Sequence, residues 1–223
     1  MRDPESNGAR TALSANEKNF IEIVGFLRRH EIDFWLDQGT LLGVVRDGAL
    51  LPWDKDIDIS VWTDGFDRIL EHRDEVRRLG YYIEVHEPRD TMFLSKPRGY
   101  FIEICRHRVD GDRVVRFGGA PRNSASERRM KRWLQKMPHP IFVRLRHFAR
   151  KFLGKPPLPF HTPLELLDEF ATVRFLGLDV PVPRRAEDYL AFKYGPDWRI
   201  PKREWDVAAE DGAVIAGQGN RAR

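Results

Sequence analysis

Along the first half of the chain, segments in which apolar residues recur at helical spacing alternate with segments in which they occupy every second position. These two spacings predict the helices and strands. Near the amino terminus Phe20, Ile23 and Leu27 lie on one side of a 3.6-residue period, which predicts an amphipathic helix. Ser14, with Glu17 three residues later, forms a capping box for the start of that helix. Elsewhere apolar residues occupy every second position, which is the spacing of a strand with one buried face.

The two spacings follow one another as helix, strand, helix, strand, helix and then several strands. The predicted strands are 32–37, 56–62, 81–85, 91–95 and 100–107, and the helices between them are 40–47 and 66–78. The second half continues with a basic helical stretch at 126–155, a hairpin at 172–183 and a short helix at 187–195. We therefore predict an α+β fold, a mixed β-sheet with flanking helices and a helical, basic C-terminal half.

These elements fill one domain with a tail at each end. Residues 1–12 and 207–223 are small, polar and rich in glycine and alanine, so we predict that both are disordered. The single domain then runs over 13–206 and carries 126–155 as a basic helical insertion.

The composition limits which cellular compartment and which binding partners we expect. A net charge of +4 favours anionic partners but is too small, unless concentrated, for a nucleic-acid-binding protein. Cys105 is the single cysteine, so neither an intrachain disulfide nor a thiolate zinc cluster is expected. No segment approaches the ~20 apolar residues of a membrane span, and no secretory signal is evident at the start. We predict a cytoplasmic protein with no nucleic-acid partner.

The stretch WDKDIDI brings three like charges together within five residues. Asp56 and Asp58 share one face of a predicted strand, because side chains alternate, while Ile57 and Ile59 lie on the other. A divalent cation between two such carboxylates relieves their repulsion. Oxygen ligands select a hard ion, so the prediction is Mg²⁺ or Mn²⁺.

Two other interpretations of the acidic stretch have to be weighed. A calcium-binding EF-hand loop also begins D-x-D-x-D, but Ile59 stands where that loop needs glycine and Gly65 where it needs glutamate. A solvated acidic turn is the second alternative, and the stretch taken alone does not exclude it.

Residues outside the stretch favour a functional site. Gly39 and Thr40 stand where a strand turns into a helix, the geometry that presents backbone N–H groups to a phosphate. Glu103 lies in an apolar alternating strand and needs a partner there. Together with Asp56 and Asp58, these residues are the parts of a metal-dependent phosphoryl or nucleotidyl transfer site.

The continuous stretch WLDQGTLLGVVRDGALLPWDKDID resembles the signature of the LicD family, which includes the fukutin-type proteins, within the nucleotidyltransferase superfamily. The segment AEDYLAFKYGPDWRIP, at 186–201, is similar to the closing motif of that family. The resemblance implies a nucleotidyltransferase-like sheet. It also implies transfer of a phosphocholine or phospho-polyol group from a CDP-activated donor to a hydroxyl of a cell-surface glycan, lipopolysaccharide included, with release of CMP.

The resemblance assigns roles to the residues that match the motif. Asp56 and Asp58 would be the metal ligands, Asp54 a supporting group or further ligand, and Glu103 the third carboxylate of the metal site. Either Asp58 or Glu103 would take the proton of the acceptor hydroxyl.

Other matching residues would bind the donor or line the pocket. Gly39 and Thr40 would hold donor phosphate, and Arg46 would neutralise charge on the diphosphate. The predicted pocket residues are Trp53, Tyr194, Trp198 and Arg199. For Tyr194 and Trp198, simple packing of a helix end against the sheet is an equal alternative.

Two further questions stay open at this point. The basic stretch 141–155 predicts either peripheral contact with an anionic membrane, near a lipid-linked acceptor, or an ordinary amphipathic helix docked on the domain. For function, the alternatives are a nucleotidyltransferase that leaves a nucleoside monophosphate on a small acceptor, or a non-catalytic module that binds RNA or an anionic glycan.

Overall fold

A computed structural model describes residues 12–54, 56–97, 101–118, 157–203 and 205–215. The helices are α1 (Ala15–Arg29), α2 (Gln38–Asp47), α3 (Thr63–Glu71), α4 (Arg73–Arg78), α5 (Ala186–Tyr194) and α6 (Val207–Glu210). The strands are β1 (Phe34–Leu36), β2 (Asp56–Trp62), β3 (Tyr82–His86), β4 (Thr91–Ser95), β5 (Phe101–Asp110), β6 (Arg113–Gly118), β7 (Leu158–Pro163), β8 (Phe170–Phe175) and β9 (Leu178–Pro183). The predicted basic insertion 126–155 lies outside the described residues.

A seven-stranded mixed sheet organises the domain. Its strands run in the order β1-β2-β5-β4-β3, and β6 extends the sheet from β5 towards β7. The central pair β2 and β5 is parallel, whereas the pairs β1–β2, β4–β5 and β3–β4 are antiparallel. The predicted α+β class is therefore confirmed, and β2, which carries Asp56 and Asp58, lies between β1 and β5.

The helices follow their sequence signals closely at the amino terminus. Ser14 and Glu17 form the predicted capping box reciprocally at the start of α1. Gly48 ends α2 in the left-handed conformation, with φ 66°.

The predicted single helix 66–78 is wrong, because the helix is interrupted at His72. The His72 ring stacks on His30 at a centroid distance of 3.8 Å, and the His72 carbonyl accepts the N–H groups of Glu75 and Val76 in α4.

Strands β6 and β7 were not predicted from the sequence. β7 carries Pro159 and Pro163, which lack an N–H group and argue against a strand. In the structure β7 pairs in full with β6, and its one other pairing among the described residues is an isolated bridge from Phe160 to Val214. A strand at the border of a sheet tolerates proline, because its outer N–H groups have no ladder to join.

The hydrophobic core lies between the sheet and the helices that cover it. Ile57, Ile59 and Val61 of β2 are fully buried on one face, as the alternation predicted. The predicted hairpin β8–β9 forms a separate two-stranded sheet. It joins the core through Phe175, whose ring packs edge-to-face on Phe20 of α1 at 5.3 Å. In the described part of the chain, no helix combines the length and apolar character needed to cross a membrane.

The structure differs from the tail prediction over residues 207–215. Asp206 caps α6 by accepting a hydrogen bond from the Ala208 N–H. Asp211 then forms a buried ion pair with Lys193 of α5 at 3.1 Å. The low hydrophobicity of this segment misled the prediction, because one buried ion pair and close backbone packing fix it to the domain without a large apolar surface.

Candidate active site

The N-terminus of α2 lies against the start of β2. Asp37, the residue before α2, caps the helix by accepting the Gln38 N–H at 2.6 Å. Its backbone N–H donates to the Asp58 carbonyl at 3.4 Å, which ties the strand–helix turn to β2. The turn predicted to present N–H groups to an anion is therefore adjacent to the predicted acidic cluster.

Three carboxylates converge at the beginning of β2. Asp54, Asp56 and Asp58 each offer an oxygen, and these oxygens all lie within 4.8 Å of one another. Glu103 is opposite Asp58 in the parallel register of β2 and β5, so the two side chains emerge on the same face of the sheet. The structure thus brings together all four acids proposed from the sequence.

The electrostatics of this acidic cluster fit a divalent cation. Burial, followed by the neighbouring charge of Asp58, raises the pKa of Asp56 to about 10. Burial and the charges of Asp54 and Glu103 also raise the pKa of Asp58 well above its ordinary value. Like charges held this close favour the protonated forms, and a hard cation bound to their oxygens would restore the ionised ones.

Thr40 holds Asp58 in place from the first turn of α2. Its N–H donates to Asp58 Oδ2 at 3.4 Å, and its hydroxyl accepts the Asp58 N–H at 2.8 Å. Thr40 is 2% exposed and is not part of the cleft wall. Thr40 therefore supports Asp58 and does not face donor phosphate, which differs from the prediction. The helix N-terminus binds carboxylates of the chain itself, because Asp37 and Asp58 reach its N–H groups first.

Gly39 is the residue at which α2 and the acidic cluster approach most closely. A Cβ atom built on Gly39 would overlap the Asp54 carboxylate and would lie 3.4 Å from Asp58 Oδ2. Glycine is therefore needed here to admit the Asp54 side chain. Gly39 also faces the cleft described next, as the phosphate-binding prediction requires.

A cleft of about 790 Å³ opens above the acidic cluster. Trp53, Tyr194 and Trp198 line it, together with the four acids. Arg46 lines it as well, but its guanidinium is bound bidentately by Asp47 at 2.8 and 2.7 Å. Much of the rest of the wall comes from residues within 195–203 and 205–211, and Arg116 and Phe160 also line the cleft.

Arg199 is placed outside the cleft wall, contrary to the prediction. Its side chain is exposed, forms an ion pair with Glu187 on α5 and stacks over the Trp198 ring at 4.2 Å. The helical turn after α5 directs Trp198 inward and the next side chain outward, so adjacent residues of the closing motif do not share a role.

Sequence reasoning missed two residues of the site, Gln38 and Arg116. The Gln38 amide donates to Asp58 Oδ1 at 3.3 Å and accepts from Arg116 Nη2 at 3.2 Å. Gln38 adopts a left-handed backbone conformation, with φ 48°, which is uncommon for a residue with a side chain. Arg116 lies on β6, a strand that the sequence did not reveal, so only its place in the alternation of 113–118 was available as a signal.

A buried polar network supports the site from behind. Asp37 Oδ1 accepts the Tyr189 hydroxyl and Asp37 Oδ2 the Ser60 hydroxyl, both at 2.7 Å. Burial alone would raise the pKa of Asp37, but the positive charges of Lys193 and Arg116 and the hydrogen bond from Tyr189 hold that pKa far below its usual range. Burial lowers the pKa of His107 to about 3. The network therefore connects the first turn of α2 with β2, β5 and α5.

The structure is an α+β domain with an acidic cleft beside the N-terminus of α2. A sequence model described as LicD/FKTN/FKRP, nucleotidyltransferase domain, matches residues 31–185. This match covers more than half of the chain, and the chain belongs to this family.

Several curated proteins are similar to parts of the chain. A ribitol-5-phosphate transferase FKTN of Mus musculus is 22% identical over 183 residues, which are 78% of this chain and 31% of that protein. A ribitol 5-phosphate transferase FKRP of Homo sapiens is 38% identical over 42 residues, 19% of this chain and 8% of that protein. The lipopolysaccharide cholinephosphotransferase LicD of Haemophilus influenzae is 37% identical over 43 residues, 19% of this chain and 16% of that protein. The matched regions thus span about a third or less of these relatives.

Among solved structures, a lincosamide antibiotic adenylyltransferase, LnuA, in its lincomycin-bound form superposes with a TM-score of 0.47 and 17% sequence identity. The superposition covers 82% of this chain and 89% of that one.

Proposed function

We propose that this protein is a metal-dependent transferase that moves a phosphocholine or phospho-polyol group from a CDP-activated donor to a hydroxyl of a cell-surface glycan, and releases CMP. The observation that carries the proposal is the convergence of Asp54, Asp56 and Asp58 in the cleft of a LicD-family chain. Relatives named as ribitol-phosphate and choline-phosphate transferases support this class of transferred group.

The proposed metal is Mg²⁺ or Mn²⁺. Asp54, Asp56 and Asp58 would hold it through carboxylate oxygens, the ligand type that these hard ions prefer. When bound, such an ion neutralises charge that builds on the phosphorus and on the departing CMP. Thr40 and Gln38 orient Asp58 for this role through three hydrogen bonds.

We assign proton removal from the acceptor hydroxyl to Glu103. Both carboxylate oxygens of Asp58 already accept hydrogen bonds, from Gln38 and from the Thr40 N–H. Glu103 faces the cleft, and within the described part of the chain its carboxylate accepts a weak hydrogen bond from Cys105 Sγ at 3.8 Å. In the transfer, the acceptor oxygen forms a bond to phosphorus while the bond from phosphorus to the bridging oxygen breaks. The electron pair leaves with CMP, and the hydroxyl proton goes to the Glu103 carboxylate.

The aromatic side chains of the cleft suit a nucleotide donor. Trp53, half-buried, and Trp198, buried, provide flat apolar surfaces on which a cytosine ring can pack. Arg46 and Arg203 lie over the Trp53 ring at 5.9 and 5.7 Å. The charge of Arg46 is offset by Asp47, so Arg203 is the cation offered to phosphate at the rim.

Incubation with Mg²⁺ and a panel of CDP-linked donors and glycan acceptors tests the proposal. The wild type is expected to release CMP, and Asp56→Asn and Asp58→Asn to lose nearly all turnover while keeping the fold. Asp33→Asn, which changes an exposed aspartate away from the cleft, is the matched control and should retain full activity. Substantial activity in both cleft variants would refute the site, and release of pyrophosphate in place of CMP would indicate nucleotidyl transfer.

We also propose that the protein acts at the cytoplasmic face of a membrane on a lipid-linked acceptor, and that 141–155 provides the contact. The support is the sequence alone, where Ile141, Leu145, Phe148 and Phe152 recur at helical spacing and Lys and Arg dominate the positions between them. Wild-type protein should co-sediment with anionic liposomes at low salt. Reversing the charges of Arg144, Arg146, Arg150 and Lys151 should abolish this, and failure of the wild type to sediment would eliminate the contact.

A further inference from the structure

Arg116 is a buried cation that the proposed mechanism does not use. It is 3% exposed, yet its side chain forms part of the cleft wall. One face of the guanidinium is covered by the Phe160 ring, with 4.1 Å between the guanidinium carbon and the ring centroid. A fully charged group in this position has lost most of its water, and the loss is unfavourable unless another group replaces that water.

Within the described ranges, Arg116 has no ion pair. Its contacts are a hydrogen bond to the neutral amide of Gln38 at 3.2 Å and a weak contact with Cys105 Sγ at 3.8 Å. Other arginines of the same sheet are different, since Arg106 and Arg108 both pair with the buried Asp90 at 2.9 and 2.8 Å. As far as the described residues go, Arg116 therefore retains N–H donors that a ligand in the cleft can use.

Two neighbours, Gly118 and Gln38, determine where the Arg116 guanidinium lies. A Cβ atom built on Gly118 would overlap Arg116 Nη1, so the glycine two residues along β6 is what allows the side chain to lie where it does. On the other side, one Gln38 amide joins Arg116 to Asp58, accepting from the first and donating to the second. This amide sets the separation between the guanidinium and the acidic cluster.

We infer that Arg116 is an anion-binding residue of the cleft and that its ligand is the diphosphate of the donor. This inference rests on the proposed function for the identity of the anion. A ligand that spans the acidic cluster and Arg116 needs anionic oxygens at both ends, one end for a cation held by the acids and the other for the guanidinium. A diphosphate has this form, and the planar guanidinium matches the spacing of phosphate oxygens. Gln38 is the positioning residue that fixes the two ends.

Binding of inorganic pyrophosphate, measured by calorimetry at constant Mg²⁺ concentration, tests the inference without a donor. Arg116→Met is expected to weaken binding by about 10- to 100-fold, the loss typical of a hydrogen-bonded charge pair. Arg113→Met is the matched control, since Arg113 lies on the same strand but is exposed and away from the cleft. Its affinity should stay within about twofold of the wild type, as for an exposed charge.

Two further measurements keep the test decisive. Mn²⁺ binding in the absence of anion should not be weakened in Arg116→Met, which shows that the acidic cluster is intact. If Arg116→Met does not fold, Arg116→Lys decides, because lysine keeps the charge but lacks the planar fork and should give a clear loss of affinity.

Pyrophosphate affinity in the folded Arg116 variant equal to that of the wild type would overturn the inference, as would a wild type that binds no pyrophosphate. The proposed function fails separately. If wild-type protein binds pyrophosphate through Arg116 but releases CMP from no CDP-linked donor, the anion site stands and the donor assignment falls.

Discussion

At the level of single residues, the site depends on close packing of the carboxylates. They lie near one another and near the backbone of α2, with no side chain in the gap. Gly39 makes this possible, because any Cβ there would overlap the Asp54 carboxylate. Asp58 is then held from two sides by Gln38 and Thr40. Small changes at these positions are therefore expected to alter chemistry more than stability.

Gly39→Ala tests this expectation. Displacement of Asp54 by the new methyl group should lower kcat by about 100-fold, since a misplacement of about 1 Å in an active site has effects of that size. The matched control is Gly25→Ala in the middle of α1, where the nearest atom to the new Cβ would be an Arg29 side-chain nitrogen at 3.6 Å. That variant should keep full activity and gain about 0.5–1 kcal/mol of stability from better helix propensity. Unchanged kcat in Gly39→Ala would contradict the packing described here.

The raised pKa of Asp56 predicts how metal-free protein responds to pH. Its folded-state pKa of about 10 lies above the ordinary value of 3.8, so the folded protein holds a proton that the unfolded chain releases as pH rises. Stability should therefore fall between those two values. His107, whose pKa is lowered from 6.5 to about 3, gives the opposite slope in acid, so the window for the fall runs from about pH 7 to about pH 9. Asp58, whose pKa is also raised, adds to the fall in this window.

Thermal unfolding in EDTA across this window measures the effect. Asp56→Asn, which cannot ionise, should be more stable than the wild type, and the difference should grow with pH. Saturating Mn²⁺ should stabilise the wild type more at the upper end of the window than at the lower. A wild type and variant with parallel pH profiles would exclude a proton on Asp56.

The position of a site residue could be predicted from the sequence when its neighbours alternated between apolar and polar. Asp56, Asp58 and Glu103 could be placed on one face because the isoleucines between them mark the buried side. Thr40 could not be assigned correctly, since sequence does not show whether a helix N-terminus binds an external anion or a carboxylate of the chain. Arg116 was not found at all, because its strand was not recognised.

At the level of whole elements, α2, β2 and α5 are joined by one buried carboxylate. Asp37 accepts hydrogen bonds from the Gln38 N–H, from Ser60 and from Tyr189. These donors come from three elements that are far apart in the chain. The network therefore fixes the first turn of α2, which in turn positions Asp58.

Asp37→Ala should lower the free energy of unfolding by about 3–5 kcal/mol, because it leaves buried donors and positive charges without their acceptor. Tyr189→Phe removes a single donor from the same network and should cost about 1–2 kcal/mol. Urea unfolding of both variants gives the comparison. A smaller loss for Asp37→Ala than for Tyr189→Phe would show that the network does not depend on the carboxylate.

Helices and strands with a regular spacing of apolar residues could be predicted from the sequence. Segments whose residues favour conflicting structures could not. The capping box of α1, the left-handed Gly48 at the end of α2 and the strand 56–62 all follow local rules. β7 was missed because its prolines oppose a strand, and it forms only where β6 provides a ladder. Tertiary pairing decided this element, and tertiary pairing cannot be deduced from the local sequence.

At the level of the whole molecule, the cleft is assembled from both ends of the domain. The acids come from β2, from the residues just before it and from β5, whereas much of the remaining wall comes from residues within 195–203 and 205–211. The buried ion pair of Lys193 with Asp211 attaches this wall to the domain. The family motif allowed Tyr194 and Trp198 to be proposed for the pocket, but the contribution of 207–211 was not visible in so small and polar a segment.

Truncation separates the structural part of this segment from the remaining predicted tail. A chain that ends at 206 leaves Lys193 buried without its partner, and should lose about 3–5 kcal/mol of stability together with ligand binding. A chain that ends at 215 keeps the ion pair and should match the full-length protein in unfolding and in CMP release. Equal stability of the two truncated chains would contradict a structural role for Asp211.

The claim on which the other proposals depend is that the acidic cleft holds a divalent ion in contact with a diphosphate. Paramagnetic broadening of the ³¹P resonances of CDP by substoichiometric Mn²⁺ reports this contact in solution. Wild-type protein should broaden both ³¹P signals well beyond the effect of free Mn²⁺, and Asp58→Asn should abolish the enhancement while the protein stays folded. Equal broadening with the wild type and with Asp58→Asn, or none above free Mn²⁺ with either, would contradict the assignment of this site.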